Sequence, residues 1–208
     1  MKRLGIFGGT FDPIHIGHLE IAKSIYEQMD LEQIIFIPAY VAPHKVGQDF
    51  APAMDRYKMT KLAVQPYPYF SVSYLELMRT GVSYTYDTLQ ELKKIYPEHE
   101  LFFIIGADSV TTLHTWHRIQ EMFELATFVG AERPGYDNSD VLQAIDNLGA
   151  RAKEKIILLD TPENHISSTI IRQRIRAGKN LHDLVPEVVE KYIYDHKLYL
   201  EGKQNENK

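Results

Sequence analysis

The sequence predicts an α/β fold, a doubly wound and mostly parallel sheet with helices on both faces. Three observations carry this expectation. Short apolar runs alternate with amphipathic stretches at spacings of roughly 25 to 35 residues, the rhythm of strand–helix–strand crossovers. The strongest run, "LFFIIGAD" (101–108), is apolar almost throughout, as in strands covered on both faces. The chain has 208 residues, 44% hydrophobic and 25% charged, with neither an internal repeat nor an interdomain linker, which suits one core. A single domain over 1–200 is expected, with 167–200 forming its C-terminal helices and 201–208, "EGKQNENK", a disordered tail.

The elements follow in order. "RLGIFGG" (3–9) is a short apolar run ending in glycines and reads as a buried strand. Leu19, Ala22, Ile25, Tyr26 and Met29 recur at three- and four-residue spacing, one face of a helix from near Gly17 to Met29. "QIIFIPAY" (33–40) is the next strand, followed by the loop "AYVAPHKVGQDFAP". Met54 to Gln65 reads as a helix with Met59, Leu62 and Ala63 inward. "FSVSYLEL" (70–77) alternates like a strand, ahead of the loop "MRTGVS". "SYTYDTLQELKKIYPE" (83–98) enters a helix capped by Thr85 or Asp87, with Leu89, Leu92 and Ile95 on one side. After the 101–108 strand come a helix through "VTTLHTWHRIQEMFEL" (110–125) and a strand "ATFVGA" (126–131). A helix "SDVLQAIDNLGAR" (139–151), a strand "KIILLD" (155–160) and two closing helices, 167–178 and 185–196, complete the chain.

Composition narrows the function. No run of about 18 apolar residues is present, which argues against a transmembrane helix. The start "MKRLGIFGG" reaches glycine too early for a signal-peptide apolar region. The absence of cysteine excludes disulfides, a thiolate nucleophile and Cys-type zinc, and fits a cytoplasmic location. A formal net charge of -5 argues against a broad nucleic-acid surface, but leaves room for a local anion site.

The chemistry concentrates in "GGTFDPIHIGH" (8–18). Its glycines lack the G-x-G-x-x-G spacing of dinucleotide sites, and no lysine follows Gly17 as a Walker loop requires. His15 and His18 stand three apart without an evident third zinc ligand. A helix-start phosphate site fits better. Glycines after a strand admit a ligand to the backbone, Asp12-Pro13 turns the chain, and the free N–H groups of the next helix attract phosphate. Two imidazoles beside that terminus can donate to charge developing on a phosphoryl group. Read without a ligand, the same stretch is a tight turn with an exposed His15.

The stretch resembles the signature of the nucleotidyltransferase superfamily that carries an H-x-G-H motif. More narrowly, the chain is similar throughout to bacterial nicotinate-nucleotide adenylyltransferases, through "PAYVAPHK" (38–45), "GADSVTTLHTW" (106–116), "ERPGY" (132–136) and "ISSTIIRQRI" (166–175). The resemblance implies a Rossmann-like nucleotidyltransferase fold. It implies that ATP meets Gly8, Gly9, Thr10, Phe11, His15, His18, Gly106, Asp108, Arg133, Ile166, Ser167, Ser168 and Arg172. It places nicotinate mononucleotide near Gly8, Thr10, Lys45, Thr85, Tyr86, Trp116 and His117, with Trp116 stacked on the pyridine ring. His15, His18, Lys45 and Arg172 would be the catalytic set; His44 is a weaker candidate.

On residue chemistry alone, Lys45 is an ordinary solvated loop lysine, Ser167 a helix cap, Asp108 an N-cap and Trp116 a core aromatic. Mg²⁺ is expected mainly on the ATP phosphates, with Asp12 beside the ion or its waters, and no organic cofactor. The implied reaction joins ATP to nicotinate mononucleotide, giving deamido-NAD and pyrophosphate by positioning and charge stabilisation. The same chemistry on nicotinamide mononucleotide or phosphopantetheine, and a noncatalytic nucleotide sensor, are the alternatives; a homo-oligomer stays open.

Overall fold

The computed structural model describes residues 2–43, 47, 49–79, 81–132, 138–163 and 165–200. Six strands form one sheet in the order β3-β2-β1-β4-β5-β6. They are β1 (Lys2–Gly9), β2 (Gln33–Pro38), β3 (Phe70–Val72), β4 (His99–Gly106), β5 (Thr127–Glu132) and β6 (Ile156–Asp160). Every pairing is parallel. Apolar residues on both sides of the central strands explain why the sheet is buried twice over. In β4, Leu101, Phe103 and Ile105 enter one core cluster, whereas Phe102 and Ile104 enter the other.

The helices divide between these clusters. α1 (Ile16–Gln28), α2 (Ala53–Val64), α9 (Ser168–Arg176) and α10 (Glu187–Asp195) cover the Phe7–Phe36–Ile104 face through Leu19, Met59, Ile171 and Ile193 among others. The opposite face is covered by α4 (Thr85–Ile95), α5 (Ala107–Val110), α6 (Ile119–Leu125), α7 (Ser139–Leu148) and α8 (Ala150–Lys155). The chain therefore changes sides between β1 and β4. Their carboxyl ends flank the crevice where open α/β sheets receive ligands. Among the described residues no helix is long and apolar enough to cross a membrane.

Several elements differ from the sequence expectation, each for a local reason. The run 70–77 is a strand only to Val72; the Ser73 hydroxyl accepts the Leu75 N–H and the chain turns into the short helix α3 (Leu75–Arg79). The stretch 110–125 is broken into α5, a 3-10 turn (Leu113–Thr115) and α6. There the hydroxyls of Thr111, Thr112 and Thr115 bond carbonyls three residues back, and Arg118 takes φ 59. Gly149, at φ 95, divides the next helix into α7 and α8. α4 begins behind Tyr84, without a side-chain cap from Thr85 or Asp87, and Ile95 at its far end is exposed.

Candidate active site

The parallel topology carries the motif segments to one edge of the sheet. "GGTFDPIHIGH" follows β1, the 39–43 stretch follows β2, Gly106 and Asp108 stand at the end of β4, and Ser167 to Arg172 come after β6. Gly106 occupies the N-cap position of α5, so Asp108 falls in its first turn instead of capping it; both are exposed. His44, Lys45 and Arg133, expected around the phosphates and the adenine, lie outside the described residues, as does the 201–208 tail.

The β1 exit is built from aromatic packing as much as from glycine freedom. A Cβ on Gly8 would meet the Phe103 ring at 2.9 Å, and one on Gly9 would meet the Phe11 ring at 3.1 Å. Phe11 takes φ 48, which directs its buried ring between Phe7 and Phe36. The Asp12-Pro13 peptide is cis. His15 then holds an extended N-cap conformation, and its carbonyl receives the His18 N–H at 3.0 Å.

The two imidazoles are stacked, with centroids 3.6 Å apart. The His15 backbone N–H donates to His18 Nδ1 at 3.2 Å. A nitrogen that accepts there carries no proton, so Nε2–H is the donor of the neutral His18 ring. Phe7 and Phe11 hold that ring edgewise. His15 is buried, and its Nδ1 has no hydrogen-bond partner among the described residues. Burial lowers its pKa to about 4, which leaves it uncharged at neutral pH. The structure thus offers neutral donors at a helix start.

α9 locks onto the same turn. Ser167 caps the helix by accepting the Ile170 N–H at 3.2 Å. The Ser168 hydroxyl donates to the Pro13 carbonyl at 2.9 Å, and Arg172 Nη1 donates to the Asp12 carbonyl at 2.7 Å. Ser168 and Arg172 therefore reach the β1 turn across more than 150 residues of sequence, while Arg172 keeps part of its guanidinium open to solvent. Ile166 lies just before this cap.

Asp12, expected beside a metal ion or its waters, makes its side-chain hydrogen bonds through Oδ1, while its buried Oδ2 has no hydrogen-bond partner among the described residues. It is 3% exposed, and its Oδ1 accepts the Ala51 N–H at 3.0 Å and the Tyr199 hydroxyl at 2.7 Å. Arg172 stands 3.6 Å from Oδ2. Among the described residues no group of three or more His, Cys, Asp or Glu side chains is arranged to hold a metal ion. A divalent ion here would have to take most of its ligands from a phosphate substrate and water.

Arg56 is the largest omission from the sequence reading. It is 1% exposed and donates to four carbonyls: Ala51 (3.0 Å), Thr10 (2.6 Å), Ala39 (2.7 Å) and Tyr40 (2.9 Å). One guanidinium thereby ties the β1 exit, the β2 exit and the lead-in to α2. Burial lowers its pKa, whereas the nearby Asp12 charge raises it. Its sequence signal is position: Arg56 shares the buried stripe of α2 with Met59, Thr60 and Ala63.

A second polar link joins the β2 exit to α4. The Ser83 hydroxyl accepts the Tyr40 N–H at 3.0 Å, while the Ser83 N–H donates to the Val41 carbonyl at 2.8 Å. Ser83 also bonds the buried Glu76 carboxylate, which receives the Thr88 hydroxyl at 2.6 Å. Burial raises the Glu76 pKa against those partners. Beyond this link, Thr85 and Tyr86 open α4 beside the 116–118 turn. Tyr86 and His117 meet edgewise at 6.4 Å, and Arg118 lies over the Tyr86 ring at 3.9 Å. Trp116 rests edgewise against Phe103 and Phe128 and stays partly open.

The chain is similar to known proteins over most of its length. The domain family described as Cytidylyltransferase-like matches residues 6–174. A probable nicotinate-nucleotide adenylyltransferase of Desulfitobacterium hafniense is 46% identical over 198 residues, 95% of this chain and 96% of that protein. One from Bacillus pumilus is 43% identical over 199 residues, 96% of this chain and 99% of that protein. Among solved structures, Plasmodium falciparum nicotinic acid mononucleotide adenylyltransferase complexed with NaAD aligns with a TM-score of 0.78. That alignment covers 98% of this chain and 100% of the other at 19% identity, and it carries the fold.

Proposed function

The chain belongs to the nicotinate-nucleotide adenylyltransferase family and transfers the adenylyl group of ATP to nicotinate mononucleotide; we propose that it does so at the carboxyl-edge cluster around His15, His18, Ser168 and Arg172. The observation that carries the site is the β1 turn, where stacked imidazoles, a helix start and an arginine from α9 converge. The acceptor's phosphate oxygen attacks the α-phosphorus of ATP. A new O–P bond forms, the bond to the β-phosphate oxygen breaks, and pyrophosphate leaves with that electron pair. The attacking phosphate is already ionised at neutral pH, so no side chain needs to remove a proton.

Positioning and charge stabilisation then remain for the protein to supply. His18 donates through Nε2–H to the phosphate oxygens. His15, uncharged and stacked on His18, fixes the second imidazole at the helix start. Arg172 offsets triphosphate charge with the donors it does not spend on Asp12. Gly8, Gly9, Thr10 and Phe11 border the phosphates, and Gly106, Asp108, Ile166 and Ser167 the rest of the ATP. Lys45 and Arg133 are proposed to complete the nucleotide contacts. Mg²⁺, held by the phosphates, would polarise their oxygens. Thr85, Tyr86, Trp116 and His117 bound the acceptor pocket, with the half-buried Trp116 as the ring against which the pyridine stacks.

The test is pyrophosphate release with nicotinate mononucleotide, nicotinamide mononucleotide and phosphopantetheine in parallel. The first acceptor should be preferred. Replacing His18→Ala should lower turnover by about 10²–10³-fold while the fold persists, the usual effect of losing a preorganised donor. Unchanged turnover would remove His18 from the site.

A further inference from the structure

Residues 196–200 lie far from the β1 turn in sequence, yet they return to it. α10 ends in a double reversal: the Lys197 N–H donates to the Tyr194 carbonyl at 3.2 Å and the Leu198 N–H to the Ile193 carbonyl at 2.9 Å. This is the pairing of a helix end whose left-handed residue is usually glycine. Here Lys197 fills that position at φ 52, and Tyr199 is left-handed again at φ 65. Two side-chain-bearing residues hold a conformation that L-residues avoid. The result delivers the Tyr199 hydroxyl to Asp12 Oδ1 at 2.7 Å.

We propose that Tyr199 is a positioning residue for adenylyl transfer, acting through Asp12 on the turn that presents His15 and receives Arg172 from α9. The inference rests on the activity and site described above. Asp12 is gripped from three directions: by the Ala51 N–H, by Arg172 from α9, and by Tyr199 from beyond α10. The next carbonyl, of Pro13, is held by Ser168. His15 follows two residues later, so the orientation of its ring depends on how this turn is fixed. Removal of the phenol leaves a buried carboxylate oxygen with the Ala51 N–H alone and lets Arg172 compete for it. Burial beside Asp12 also holds the phenol far above the ordinary tyrosine range, so it stays a donor at every working pH.

The same helix supplies a control. Tyr192 donates its hydroxyl to Asp55 at 2.8 Å, a bond of the same kind that ends on α2 and does not touch the β1 turn. The experiment compares full-length wild type, Tyr199→Phe, Tyr192→Phe, Asp12→Asn and the Tyr199→Phe/Asp12→Asn double variant. Pyrophosphate release from ATP and nicotinate mononucleotide gives kcat and both KM values, and thermal unfolding is followed in parallel. Tyr199→Phe should lower kcat about tenfold, the scale of one lost hydrogen bond to a charged group, with a much smaller change in either KM. Tyr192→Phe should keep wild-type kcat at a comparable shift in Tm. The double variant should be no slower than Asp12→Asn. Wild-type kcat in Tyr199→Phe, an equal loss in Tyr192→Phe, or multiplicative losses in the double variant would each overturn the assignment. A wild-type chain that released no pyrophosphate would instead overturn the activity on which it rests.

Discussion

Arg56→Met exchanges the buried guanidinium for an apolar chain of similar length. Four charge-assisted hydrogen bonds disappear, and the carbonyls of Thr10, Ala39, Tyr40 and Ala51 lose their donor. At about 1.5–3 kcal/mol for each bond to a charged group, the gross loss is about 6–12 kcal/mol. Against it stands the cost of keeping the cation out of water, several kcal/mol, which methionine does not incur. Asp12 also loses a neighbouring positive charge. Removing one member of such a buried set typically leaves a net loss of about 3–5 kcal/mol. For a chain of this size that is a fall in Tm of roughly 6–20 °C. Urea unfolding followed by fluorescence of Trp116, the single tryptophan, measures it directly. Arg56→Lys keeps the charge but cannot span four carbonyls, and should fall between the two. A loss below about 1 kcal/mol in Arg56→Met would refute the reasoning, because no buried network of this size is that cheap to dismantle.

Two further outcomes follow from the core and from His15. The pKa of His15 is held at about 4 against an ordinary 6.5, so the unfolded chain takes up this proton first as pH falls. Stability is whole above pH 6.5 and declines toward pH 4, by about 2 kcal/mol between pH 7 and pH 5. Denaturant unfolding of His15→Gln over that window should show a shallower decline, and parallel curves would contradict the assignment. In β1, a Cβ on Gly5 would meet Ile34 at 2.7 Å and Leu31 at 2.8 Å. Gly5→Ala should therefore cost about 1–3 kcal/mol in the same unfolding assay, and a neutral result would mean the core yields there more readily than packed interiors do.

How far the sequence discloses this molecule depends on how local each determinant is. The alternation of apolar runs and amphipathic stretches is written within short windows, and the parallel sheet follows from it. The break between Thr111 and Arg118 is not so written: apolar spacing continues while threonine hydroxyls draw the backbone carbonyls away from a helix. In the site, His15 and His18 are legible because a strand end, a turn and a helix start fall within eleven consecutive residues. Asp12 was legible as an important carboxylate but not as a buried anchor, since Ala51 and Tyr199 stand 39 and 187 residues away. Arg56 left a faint trace, a charge on an apolar helix stripe. Tyr199 left none, because its partner is set by a chain reversal that no period or motif marks.

The bonds that finish the β1 turn span 155 residues from Ser168, 160 from Arg172 and 187 from Tyr199. Contacts so distant in sequence close large loops and carry an entropic cost that local contacts do not. During synthesis, which proceeds from the N-terminus, β1 and α1 emerge first and already hold both imidazoles. The segments that fix their orientation emerge after all six strands. A nascent chain can thus assemble most of the sheet while its β1 turn is still unsecured, so the order of synthesis leaves the geometry of this turn to be completed after the sheet that carries it.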